Sequence, residues 1–271
     1  MSTPHVTPIT IVAFNTATES ENKIHDDEVA SKLGFTGGLV PGVDVYAYGL
    51  APAIRHWGER FLHHGTASVR LAAPVFDGES IEVVAELRSA TEMTATVESP
   101  TGRCASLTMT VPAEDEAGPT APSPITRWRD KGPDERPPAS PEAFDQQPIL
   151  ASYTISQSAD AARQYVADVR ASSLTTDLGV THPGWLLRQA NDVLAQTVVL
   201  GPWIHVGSEV THYRAALIGE PLKVQATIDR HYEHKGHRFV VHDMEILDAD
   251  DQVVCAVHHT AIYEPRQLRV G

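Results

Sequence analysis

At 271 residues the chain has room for one large domain or two modest ones, each with a core of its own. A formal net charge of −14 sets its surface against phosphate backbones and argues against general nucleic-acid binding, although a few local cations would still serve a phosphate-bearing ligand. Hydrophobic residues make up 42%, ordinary for a globular protein, and no apolar run approaches the roughly 18 residues of a membrane span.

The opening stretch "MSTPHVTPITIVAFN" lacks a basic start and a small-residue cleavage site, so no secretory signal is expected. Cys104 and Cys255 are the only cysteines. They fit no paired metal spacing, which points to free thiols in a reducing cytoplasm. Fourteen histidines will shift the effective charge in mild acid.

In chain order, "TPITIVAFN" alternates like a strand. The segment "ENKIHDDEVASKLGFTGGLVPGV" follows. It places His25 among carboxylates, then a short helix with Asp26 as its N-cap and Gly34 near its C-cap. Pro41-Gly42 then opens an apolar helical run at about 43–56, which Pro52 should bend or shorten. Four strand-like segments come next: "GTASVRLAA", "SIEVVAELRSA", "EMTATVES" and "GRCASLTMTV". From about Pro112 to Pro148 proline and charge dominate, as in a connector, with Trp128 positioned to pin its middle. A strand "PILASYTI" leads into the second half, where Pro183-Gly184 opens a helix at about 184–198. Four further alternating segments follow it.

The Pro-Gly pairs at 41–42 and 183–184 and the Gly-Glu turns at 78–79 and 219–220 are offset by 142 and 141 residues. Two anchors in one order, each followed by the same elements, indicate an internal duplication. The expected class is α+β, with each antiparallel sheet wrapped around its own helix. The expected boundaries are 1–112, a linker at 113–148, and 149–271.

Asn22-x-x-His25, Gly34-Phe35 and Val40-Pro41-Gly42 before an apolar helix, followed by "VRLAAPVFDGESIEV", resemble the MaoC-like dehydratases and R-specific enoyl-CoA hydratases. The match is specific over about residues 18–85. The resemblance implies a double hotdog fold and a hydro-lyase that hydrates an enoyl thioester or dehydrates a 3-hydroxyacyl one, with no metal or redox cofactor. It assigns His25 as acid/base, the Gly42 N–H as oxyanion donor, and Asn22, with Val40 and Pro41, to the substrate site. Such roles are physically sound, because a histidine moves protons near neutrality and a helix N-terminus offers free N–H groups. The acyl-thioester ligand rests on the resemblance alone.

In the family an Asp stands five residues before the His; here that residue is Ser20, flanked by Glu19 and Glu21. Neighbours on an extended segment point to opposite sides, so neither Glu replaces it without a bulge. Three readings stay open: Ser20 positions water beside a lone His25; Asp44, in the first turn of the helix and otherwise a partner of its dipole, or Glu21 replaces the acid; or hydration is lost and the pocket does different work. Tyr46 and Tyr48, two apart, cannot share one helical face, so one at most meets the pocket. The second half has no Asn-x-x-His; its main polar exception is His182. The clusters His56/His63/His64 and His231/His234/His237 lack the spacing of a strong metal site. Arg70 and Arg214 are candidates for a phosphate or carboxylate, and the two cysteines for buried positions. Three alternatives to the lyase remain open: a thioesterase using Asp44, a lyase acting on a free small molecule, and a non-catalytic ligand-binding subunit. The duplication permits a monomer or a homodimer.

Overall fold

The computed structural model describes residues 6–18, 20–32, 34–125, 128–130 and 135–268. Glu19 therefore lies outside the described residues.

The first half runs β1 (Ile9–Val12), α1 (Asp27–Lys32), α2 (Gly42–Trp57), α3 (Glu59–His64), β2 (Thr66–Leu71), β3 (Ser80–Leu87), β4 (Glu92–Ser99) and β5 (Gly102–Thr110). Then follow α4 (Pro141–Gln146), β6 (Tyr153–Ile155), α5 (Ala159–Asp168), α6 (Leu174–Asp177), α7 (Pro183–Thr197) and β7 (Ile204–His212). The chain finishes with β8 (Leu222–His234), β9 (His237–Leu247) and β10 (Val253–Glu264). The central helices α2 and α7 match the expected runs, and α2 continues past Pro52 to Trp57.

The expected double arrangement is present: each half contributes five contiguous antiparallel strands around its own central helix, and the two blocks join edge to edge into one sheet in the order β1-β3-β4-β5-β2-β7-β10-β9-β8-β6. Its seam is the β2–β7 pair, in register from Thr66↔Thr211 to Arg70↔Gly207. Period-two alternation reports which face of a strand is buried, but not which strands become neighbours. At the seam a side chain on Gly207 would come within 2.8 Å of the Val69 carbonyl, so the backbones meet closely there.

The sheet's inner face covers α2 and α7, which are apolar on most sides. Tyr46, Tyr48 and Leu50 of α2 and Leu187, Ala190 and Val193 of α7 belong to one continuous core. Cys104 and Cys255 are buried and unpaired in it. Gly184 of α7 packs against Ala47 of α2; a side chain there would stand 2.7 Å from the Ala47 methyl.

The proline-rich segment is strapped to the second half. The Ile125 N–H donates to Glu245, Gln225 donates to the Ile125 carbonyl, and the Arg129 guanidinium donates to the Ile149 carbonyl. Trp128 is 41% exposed and donates to nearby Asp130, so Arg129 rather than the indole supplies the anchor. Among the described residues no helix is long and apolar enough to cross a membrane.

Candidate active site

The segment before α2 is tightly specified. Asp26 caps α1, accepting from the Glu28 and Val29 N–H groups. Gly34, at φ 89°, closes it in a conformation that suits glycine. Asp27 accepts from the Gly38 N–H at 2.7 Å and so braces the glycine turn. These acids serve local structure, and by doing so they hold His25 in place. The Asn15 amide donates to the His25 carbonyl at 2.9 Å, adding a tie to the end of β1.

The His25 ring is oriented by two contacts. Nδ1 lies 2.6 Å from the Leu39 carbonyl, which can only accept, so the proton sits on Nδ1. Nε2 is then the free base, 3.3 Å from the Asn22 amide nitrogen. Burial lowers the pKa of this imidazole, while the Leu39 carbonyl and the charge of Asp44 oppose the shift. The ring is therefore neutral at pH 7 and able to accept a proton. Asn22 is itself clamped by the other half: its amide donates to the Trp203 carbonyl at 3.0 Å and accepts from the Trp203 N–H at 3.2 Å.

His25 and Asn22 line a cavity of about 290 Å³ with Val40, Pro41 and Gly42. The rest of its wall is mainly apolar and comes from both halves, including Phe35, Leu71, Val75, Trp203 and Ile262. The N-terminus of α2 enters this wall. Among the described residues neither the Gly42 nor the Val43 N–H has a hydrogen-bond partner. Two free donors at the positive end of a sixteen-residue helix suit a partly negative oxygen. Gly42 cannot carry a side chain without displacing its neighbours, since a Cβ would stand 2.5 Å from Leu71 Cδ1 and 2.8 Å from His205 Nδ1. Gly42→Ala is expected to cost about 1–3 kcal/mol of stability through this overpacking, read as a lower urea midpoint.

The remaining sequence candidates fall elsewhere. Ser20 accepts from the Asn22 N–H at 3.1 Å, and so shapes the turn that presents His25. It lines a second cleft that His25 and Pro41 share with Arg188, Asn191 and Asp192. Asp192 has an exposed side chain, yet the crowded walls of this cleft push its carboxyl up to about 6, against the pull of Arg188. Glu21 points outward into an ion pair with Arg136 at 3.0 Å. Tyr46 is fully buried in the core, away from the cavity. Tyr48 holds the chain after β1, accepting from the Phe14 N–H at 3.0 Å.

Asp44 is fully buried and held by the other central helix. Arg188 Nη2 lies 2.9 Å from each of its carboxylate oxygens, and the Thr16 hydroxyl donates to it at 2.6 Å. Burial pushes this carboxyl up; Arg188 and Thr16 pull it back. The guanidinium also stacks 4.5 Å over the Tyr165 ring. Asp44 thus locks α2 to α7 and lies outside the lining of the His25 cavity.

His182 closes the equivalent position in the second half. It caps α7, and its Nδ1 accepts from the Gly184 N–H at 3.1 Å. The space in front of Gly184 is filled by the Tyr165 hydroxyl. The duplicated helix start is therefore plugged by its own chain. Arg214 is bound to Asp248 and Glu220, and Arg70 is an exposed residue of β2, so neither meets the His25 cavity. Among the described residues no group of three or more His, Cys, Asp or Glu could hold a metal ion.

His205, Asn191 and Trp203 were not visible as site residues in the sequence, although all three line the cavity. They come from the second half, where no motif marks them.

No family model and no curated protein matches the chain. Solved structures do. A putative MaoC domain dehydratase from Chloroflexus aurantiacus superposes with a TM-score of 0.60 at 10% identity, covering 96% of this chain and 94% of that one. A MaoC-like dehydratase gives 0.60 at 13% identity, with 95% and 98% covered. A conserved Mycobacterium tuberculosis protein described as having a double hotdog fold gives 0.57 at 12% identity, with 96% and 98% covered. A putative thioesterase from Novosphingobium aromaticivorans also matches, at a TM-score of 0.50. The chain is a double hotdog protein. Its structural neighbours include MaoC-like dehydratases along with thioesterases, and at these identities the likeness defines the fold.

Proposed function

We propose that this protein is a hydro-lyase that adds water across the double bond of an enoyl thioester, or runs the reverse elimination. The observation that carries this reading is the pairing of a neutral, tautomer-fixed His25 with the unpartnered N–H group of Gly42 in one largely apolar cavity.

The steps follow from these positions. The acyl chain lies along the apolar wall, with its carbonyl oxygen at the Gly42 N–H. A water held by His25 Nε2 attacks the β-carbon; its proton passes to Nε2 and the π electrons move onto the carbonyl oxygen as an enolate. The helix N-terminus stabilises that charge as it develops. The imidazolium then returns its proton to the α-carbon, so His25 ends neutral and one water has been added. Asp44 stands in for part of the missing Asp at longer range, because its charge favours the imidazolium. Asn22, held by the Trp203 backbone, keeps one N–H beside Nε2 and so fixes the position of the ring and of the water it holds. Hydrolysis by Asp44 is disfavoured, since its carboxylate is buried behind Arg188 and Thr16.

Incubation with crotonyl-CoA separates the readings. Hydration removes the conjugated enoyl absorbance without releasing thiol. Release of thiol together with crotonate, its double bond intact, would instead make the protein a thioesterase.

A further inference from the structure

Three buried imidazoles lie together, His205 in the cavity wall and two behind it, and none has a part in the steps above. His205 of β7 and His259 of β10 stack with ring centroids 4.4 Å apart, and His242 of β9 lies 5.1 Å from His259. Ser208 links the first two: its Oγ is 2.8 Å from His205 Nε2 and 2.9 Å from His259 Nδ1. The other ring nitrogen of His205, Nδ1, is buried without a partner. His205 is 7% exposed, lines the same cavity as His25, and sets Nδ1 against the first residue of α2.

We propose that His205 is a further catalytic residue, whose Nδ1–H is a second donor to the substrate's carbonyl oxygen beside the Gly42 N–H. The proposal rests on the lyase reading of this site. Its chemistry follows from counting protons. A neutral imidazole carries one N–H, and burial holds His205 neutral by lowering its pKa to about 4. Ser208 can relay in either direction between the two rings; the direction assigned is the one in which His259 Nδ1–H donates to Ser208 and the Ser208 hydroxyl donates to His205 Nε2, which places the His205 proton on Nδ1. Nδ1 lies against the first residue of α2, and among the described residues it has no hydrogen-bond partner. A buried donor in such a place is unsatisfied until an anionic oxygen arrives. The enolate oxygen at Gly42 is such a group, and the donor is fixed in advance by the Ser208–His259 link rather than recruited during the reaction.

The test is the infrared carbonyl band of bound hexanoyl-CoA labelled with ¹³C at the thioester carbon, a saturated ligand that cannot react. Wild type is expected to shift the band to lower frequency than in solution. His205→Phe should lose at least half of that shift, and His205→Gln, which keeps an N–H donor, should retain most of it. Ser208→Ala, which leaves the ring in place but frees its tautomer, should fall between. In turnover, His205→Phe should lower kcat about 100-fold with little change in KM. A His205→Phe protein with the wild-type band overturns the proposal; if that variant does not fold, Ser208→Ala with the wild-type band does so. Crotonyl-CoA hydration together with an unchanged His205→Phe band would remove His205 and leave the lyase reading standing. A band that depends on His205 in a protein that does not hydrate crotonyl-CoA would keep the donor and remove the lyase. The absence of any bound band in wild type overturns both.

Discussion

Lowering the pH from 7.5 to 5.5 is expected to cost this protein on the order of 7 kcal/mol of folding stability. His182, His205, His212, His242 and His259 are each at most 7% exposed. Burial lowers His182 and His242 to about 3 and His205 and His212 to about 4, with His259 also held far below its usual value. In the unfolded chain the same rings titrate near 6.5. Below that pH the unfolded state binds protons that the folded state refuses, so stability falls as pH falls, until the folded values are reached. One unit below 6.5 the loss is about 1.4 kcal/mol per ring, or about 7 kcal/mol for five, against a usual total of about 5–15 kcal/mol. Asp44 and Asp192 work in the opposite direction, since their raised folded pKa values let the folded state take protons first. Two such groups do not offset five. Urea titrations at pH 7.5 and 5.5 check the sum. Equal midpoints at the two pH values would mean that these rings are not held neutral.

Arg188→Met should be the most damaging single substitution away from His25. The Arg188–Asp44 pair joins the two central helices across a sequence separation of 144 residues. Removing the cation leaves a carboxylate in the core with only the Thr16 hydroxyl for company. Breaking a buried pair in this way costs about 3–5 kcal/mol, because the remaining charge is unsolvated. For a chain of this size that is a fall in Tm of roughly 10 °C. Arg188→Met with Asp44→Leu should recover most of the loss, since an apolar pair of similar volume asks for no desolvation. If the double variant is as unstable as the single one, the damage comes from lost packing over Tyr165 rather than from an orphaned charge.

Much of this architecture is legible in the sequence because its signals are local. The Pro-Gly and Gly-Glu anchors expose the duplication, and alternation in "EMTATVES" and "HRFVVHDMEIL" gives β4 and β9 their limits. His25 and Gly42 were singled out because one short segment carries a histidine, the glycine turn and the helix start of a familiar pattern, and the structure places both on one cavity wall. What escaped is non-local. Asp44 stood out as an acid among apolar neighbours, and its partner on α7 leaves no mark near it. His205 and Asn191 reach the cavity only because β2 pairs with β7 and α7 lies beside α2, and no periodicity within one strand or helix encodes that choice of neighbour. Likewise, the plugging of the second helix start by His182 and Tyr165 depends on a contact between α5 and α7.

The most direct measurement is the initial rate of crotonyl-CoA hydration at pH 7.5 for wild type and His25→Ala. The account expects hydration by wild type and a fall of about 10³-fold in the variant, with the fold intact, as for loss of a general base. An unchanged rate in His25→Ala, or no hydration by wild type across short and medium acyl chains, would contradict it.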